Sequence, residues 1–272
     1  MKAFAIKDEE RSATEVFGYL LYYEKAKAFV IELPDDADPW GTPLLLSSFL
    51  KRGEHTILPY WSRQWVRQRI VPVDRQNLGQ ILKANGLKAY DEFALLMLAN
   101  GRCAQDSYYL QEIEEADIPE GIRSRWDKKI EEVLPLAQGH LVVFFKNGAV
   151  KRCDTAFLRE REPRFAAISR SASLFQAVSI LPGGYGVGWG ENISIANNEL
   201  YDRGLDVPLS FDDFKAFVSQ RIVNAAQAQA LLGCSRQYIN ELERKGFLHP
   251  IREDARNTLY LKSEVMQRVR YE

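Results

Sequence analysis

Eight polar residues near the C-terminus carry the clearest chemistry in the chain: Ser235, Arg236, Gln237, Asn240 and Arg244, then Arg252, Arg256 and Asn257. An arginine can give guanine two parallel hydrogen bonds, and a glutamine or asparagine can do the same for adenine. Arginines farther from the bases pair with phosphates, which adds affinity without sequence information. The chemistry on offer is therefore recognition of double-stranded DNA. It requires elements that hold these side chains outward and in order.

The surrounding residues predict such elements. Asn224 is an N-cap, able to accept from an orphan amide one turn on. Ala225 to Leu232 is alanine-rich and helix-favouring. Gly233 ends that helix, since it can take a left-handed cap. Ser235 caps a second helix in which Ile239 and Leu242 point inward, while Arg236, Gln237, Asn240, Glu241 and Arg244 point outward. Gly246 stops it. Two short helices joined by a glycine turn make a helix-turn-helix. Phe247–Ile251 and Thr258–Leu261 read as two strands of a wing whose tip is Arg252 to Asn257. Ser263 caps a last helix with Val265, Met266 and Val269 as its apolar face.

This stretch resembles the winged helix-turn-helix of the MerR and excisionase class, through the alanine-rich first helix, LLGCSRQYI, ERKGFL and a wing ending in LYL. The resemblance covers about fifty residues. It implies that the helix from Ser235 enters the major groove, with Arg236 and Gln237 at its N-terminal end over the bases, and that the wing touches backbone or minor groove. Arg244, Arg252 and Arg256 are then phosphate contacts. Glu241, Glu243, Glu253 and Asp254 sit among the basic residues and leave the module only mildly basic.

The whole chain has 272 residues, enough for two or three domains. Its net charge of -1 excludes a chain-wide electrostatic grip on nucleic acid, so any DNA contact is local. The three cysteines, Cys103, Cys153 and Cys234, form no CxxC pair, and the three histidines are scattered. Neither a zinc nor a disulfide framework is expected, which suits a reducing, cytoplasmic setting. The opening MKAFAIKDEER lacks the apolar core of a signal peptide.

Residues 1–126 read as one mixed domain. Val16–Tyr23 and Ala28–Leu33 predict a hairpin across Glu24 to Lys27. In Tyr60 to Ile70, a helix from Ser62 puts Trp65 and Arg69 on one side and Arg63 and Arg67 on another. That pattern fits a core anchor with a solvated basic edge better than nucleic-acid stacking. Asp91 predicts a cap for a helix over Phe93–Leu98. The acidic run Glu112 to Glu120 reads as a connector. Arg102, Asp106 and Tyr108 form no spacing that singles out a catalytic group.

Residues 127–206 read as a second unit built on hairpins. Strands are expected over Lys129–Leu134, Leu141–Lys146 and Ala149–Asp154, with Asn147-Gly148 favouring a type I′ turn. Gly183, Gly184, Gly186, Gly188 and Gly190 match neither a P-loop nor a dinucleotide fingerprint and read as turn and packing glycines. The order of elements is similar to the bacterial family called domain of unknown function 2442. The similarity rests on Leu141, Phe145, Asn147, Gly148, Asp154, Phe165, Leu174, Phe175, Val178, Trp189, Leu200 and Tyr201. It implies a small hairpin-based α+β domain, often encoded beside a partner protein in toxin–antitoxin-like pairs, and no catalytic residue.

Residues 207–272 complete the chain, with Phe211, Phe214 and Phe217 at helical spacing to seat the winged helix-turn-helix. The sequence thus predicts a multidomain α+β protein. Its expected role is an antitoxin-like, autoregulatory DNA-binding regulator, acting as a homodimer, without catalytic residues, cofactor or metal. The runner-up is a protein–protein adaptor whose middle domain binds a partner. The third reading is an enzyme in the N-terminal domain.

Overall fold

Long apolar runs and well-placed caps build an α+β protein with antiparallel sheets and short helices. The structure, a computed structural model, describes residues 1–190, 193–207, 211–251 and 258–270, with only the backbone of 211–215. It divides into two units, Met1–Arg125 and Trp126–Glu272. The boundary expected at 206/207 falls inside the second. Among the described residues no helix is long and apolar enough to cross a membrane.

The first unit contains β1 (Lys2–Asp8), β2 (Gly18–Tyr23), β3 (Ala28–Glu32), α1 (Leu44–Leu50), β4 (Thr56–Ile57), α2 (Pro59–Arg67), α3 (Leu78–Ala84), α4 (Glu92–Leu98), β5 (Tyr108–Ile113) and α5 (Glu120–Arg125). The sheet order is β4-β3-β2-β1-β5, antiparallel throughout. Every residue of β2 is buried, as its unbroken GYLLYY suggests for a central strand covered on both faces. The hairpin Tyr22↔Phe29 turns at Lys27, which takes a left-handed φ of 47°. Three strands escape the sequence reading, among them the two-residue β4. β1 lies in the charged opening segment, and β5 takes in Glu112 and Ile113, which the composition assigned to the connector. Helix α2 packs on β3. Its buried Ser62 hydroxyl accepts from Ile31 N at 3.0 Å and donates to Ile57 O at 2.8 Å, tying the helix to two strands.

The second unit opens with β6 (Ile130–Pro135), β7 (His140–Phe145) and β8 (Val150–Asp154). Helices α6 (Leu158–Arg161), α7 (Phe165–Arg170) and α8 (Ala172–Gln176) follow, then β9 (Ser179–Ile180), β10 (Gly186–Trp189), β11 (Ile193–Ala196), α9 (Asn197–Arg203) and β12 (Leu205–Asp206). They form two antiparallel sheets, β12-β8-β7-β6 and β11-β10-β9. Phe165, Phe175 and Trp189 pack edge to face between them, and the Trp189 indole donates to Phe175 O at 2.9 Å. A Cβ at Gly186 would meet Ile195 O at 2.3 Å, so this glycine permits close strand approach. Asp154 accepts from Ala156 N at 2.8 Å and serves the turn after β8.

One expectation is corrected here. Gly148 has φ 83° but Asn147 does not take a positive φ, which a type I′ turn requires at both positions. Instead Gly148 N donates to Phe145 O and Phe145 N to Ala149 O, a three-residue loop with the glycine as its bulge. Leu174, among the positions of family similarity, is half exposed, whereas Phe165, Phe175 and Trp189 are core.

Candidate nucleic-acid interface

The C-terminal elements are α10 (Phe211–Arg221), β13 (Ile222–Asn224), α11 (Ala225–Leu232), α12 (Arg236–Arg244), β14 (Leu259–Leu261) and α13 (Lys262–Arg270). Local chemistry sets the two middle helices. Asn224 and Gln227 form a reciprocal capping box, each side chain accepting from the other's backbone N–H at 2.9 Å. Gly233 takes φ 62° and closes α11. Ser235 accepts from Tyr238 N and starts α12, and Gly246, at φ 71°, lets Phe247 N and Leu248 N return to Leu242 O. The inner face of α12 is Ile239 and Leu242, buried with Val223, Ala228, Leu248, Tyr260 and Val265.

Helical geometry then fixes what faces out. At about 100° per residue, Arg236, Gln237, Asn240 and Arg244 span an arc of about 100° opposite Leu242. All four, with Ser235, are exposed. The structure therefore brings these five expected residues onto one face. Tyr238, 43% exposed in the first turn, lies between that arc and the Leu242 side and was absent from the sequence set; its i, i+4 spacing from Leu242 marked it for the inner face instead. Arg252, Arg256 and Asn257 lie outside the described residues.

The acids near this face are held by neighbours. Glu241 is paired with Lys245 at 2.6 Å, and that hydrogen bond holds its carboxyl below the usual range. Glu243 accepts from the Tyr260 hydroxyl, and burial together with that carboxylate pushes the phenol up. Glu264 accepts from His249, from both N and Nδ1, at 2.9 Å. Among the described residues no acid pairs with Arg236 or Arg244.

The expected wing is partly corrected. Phe247–Ile251 forms no strand, because the turn after α12 uses the first amides and Pro250 has no N–H to give a ladder. One bond remains, Ile251 N to Leu259 O at 2.7 Å. The ladder partner of β14 is β13, with the buried pair Val223↔Tyr260 in register. Helix α13 begins at Lys262, so Ser263 lies within its first turn rather than capping it.

The helical module rests on the sheet of β6 and β7. Arg221, at the end of α10, pairs with Glu132 at 3.0 Å and donates to Val133 O, while Phe217 packs on Phe144 with ring centroids 5.3 Å apart. The side chains of Phe211 and Phe214 lie outside the described set. Searches against protein-family models, curated proteins and solved structures matched nothing for this chain.

Proposed function

We propose that the chain is a DNA-binding transcriptional regulator that inserts α12 into the major groove and acts on its own operon, as a dimer on paired half-sites. One observation carries this reading. The helix between the Ser235 and Gly246 stops buries two apolar residues and turns a continuous polar face, with two arginines that no described acid neutralises, to the outside. In this reading Arg236, Gln237 and Asn240 face base edges, and Arg244 holds a phosphate. A single small module buries little surface, which is why two copies are invoked.

The test is a salt titration of the full chain against a duplex from its own upstream region and a scrambled duplex. Binding should favour the native duplex and weaken as salt rises, as counterion release requires. Arg236→Ala should cost about 1–3 kcal/mol on the native duplex alone, whereas Arg244→Ala should weaken both and reduce the salt slope by about 1. Absence of binding to either duplex at low salt would overturn the proposal. It would favour instead an adaptor that docks a protein on Phe247 and Ile251, which are 45% and 50% exposed.

A further inference from the structure

The first unit holds a cavity of about 540 Å³ between β2, β3, α2 and the start of α4. That lies within the roughly 300–1,000 Å³ typical of small-molecule sites. Aromatic rings line it: Tyr22, Phe29, Tyr90 and Phe93, with Tyr22 and Phe93 stacked 4.0 Å apart and only 3° from parallel. Tyr22 and Phe29 are buried, and their packing fixes Phe93, which with Tyr90 keeps partly exposed ring area on the cavity wall at little ordering cost on binding.

Two arginines complete the lining. Arg63 and Arg67, one turn apart on α2, each use Nε on a different oxygen of Glu92, at 2.7 and 2.8 Å. Glu92 is only 10% exposed, but the guanidiniums above it are 44% and 46% exposed. The Nη groups of Arg63 have no protein partner among the described residues. The carboxylate thus orients the cations and leaves the triad one positive charge. Around it, Lys27 pairs with Asp91 at 3.7 Å, and Asp74 stands exposed. Across the lining, Lys27, Arg63 and Arg67 balance Asp74, Asp91 and Glu92. Such a site has one local place for an anion and no surplus for a dianion.

We propose that this cavity binds a flat aromatic ring bearing a single carboxylate, the ring packing against the partly exposed Tyr90 and Phe93 and the carboxylate on the Arg63 Nη edge. Calorimetric titration of the full chain tests it with three probes: 2-naphthoate, 2-naphthalenemethanol and 2-naphthyl phosphate. 2-Naphthoate should bind at submillimolar concentration, and both others at least about tenfold more weakly, as loss of a charge-assisted bond or an added charge demands. Arg63→Met should weaken 2-naphthoate by about tenfold or more. Val73→Trp, at an exposed lining position that keeps every charge, should also weaken it by crowding the cavity. The proposal is overturned if 2-naphthoate gives no binding heat at millimolar concentration, if the alcohol or the phosphate binds as tightly, or if a folded form of either variant retains full affinity.

Discussion

Glu132 joins the β6 sheet to the helical module, yet its carboxyl sits above its ordinary value of 4.5, because burial outweighs the attraction of Arg221. A raised carboxyl keeps its proton in the folded chain where the unfolded chain has lost it. Its contribution to stability is therefore full below about pH 4.5 and disappears as pH rises through the folded value. Glu132→Gln keeps an acceptor for Arg221 but cannot titrate. Urea unfolding of both proteins from about pH 4 to about pH 8 should show wild type losing stability relative to Glu132→Gln as pH rises. A difference that stays flat across that range would remove the burial argument. The pair was invisible in the sequence, since Glu132 and Arg221 meet only through the tertiary fold.

At the level of single elements, what could be read depended on how local the determinant is. The helices of the candidate interface were legible because Asn224, Gly233, Ser235 and Gly246 each act within one turn of themselves. The outward residues of α12 followed from helical period alone. Strand β13 was missed because it is three residues long and gains meaning only from Tyr260 far downstream. The hydrogen bond that holds Glu243 was missed for the same reason, since its partner is that same tyrosine. On α2 the period correctly parted Trp65 and Arg69 from Arg63 and Arg67. Arg69 stacks 3.8 Å from the Trp65 ring and pairs with Asp106 at 2.6 Å, whereas the other two reach Glu92. The anchor of α2 is sharper still: Ser62→Ala leaves the buried Ile31 amide without its acceptor, which should cost about 1–3 kcal/mol in urea unfolding, with the secondary structure content by circular dichroism unchanged.

For the molecule as a whole, the second unit treats the hairpin sheets and the helical module as one body. Phe217, Arg221 and Arg270 all reach the sheet, the last donating to Glu131 O at 3.5 Å. A fragment of residues 126–272 should then unfold in one transition and, under the proposed function, keep the DNA preference and salt slope of the full chain. A fragment of 207–272, which strands those three side chains, should unfold at markedly lower urea, and equal midpoints for the two would show that the module stands by itself. The net charge of -1 does not show where charge is placed along the chain, and the cavity beside Arg63 was hidden because its rings come from β2, β3, α4 and the loop before α4 while its arginines come from α2.

The ribbon of β13 and β14 sets Asn224 opposite Leu259, at the two ends of the segment that carries both middle helices. Chain enters and leaves that segment through one narrow gate. Its outward side chains can change while the gate holds its place, because the inward ones, Ile239 and Leu242, are those that pack on Tyr260 and Val265 downstream. An architecture of this kind lets the outer face of α12 be rewritten while the rest of the protein is left as it was, so the properties of that face and those of the rest of the chain are free to evolve on separate schedules.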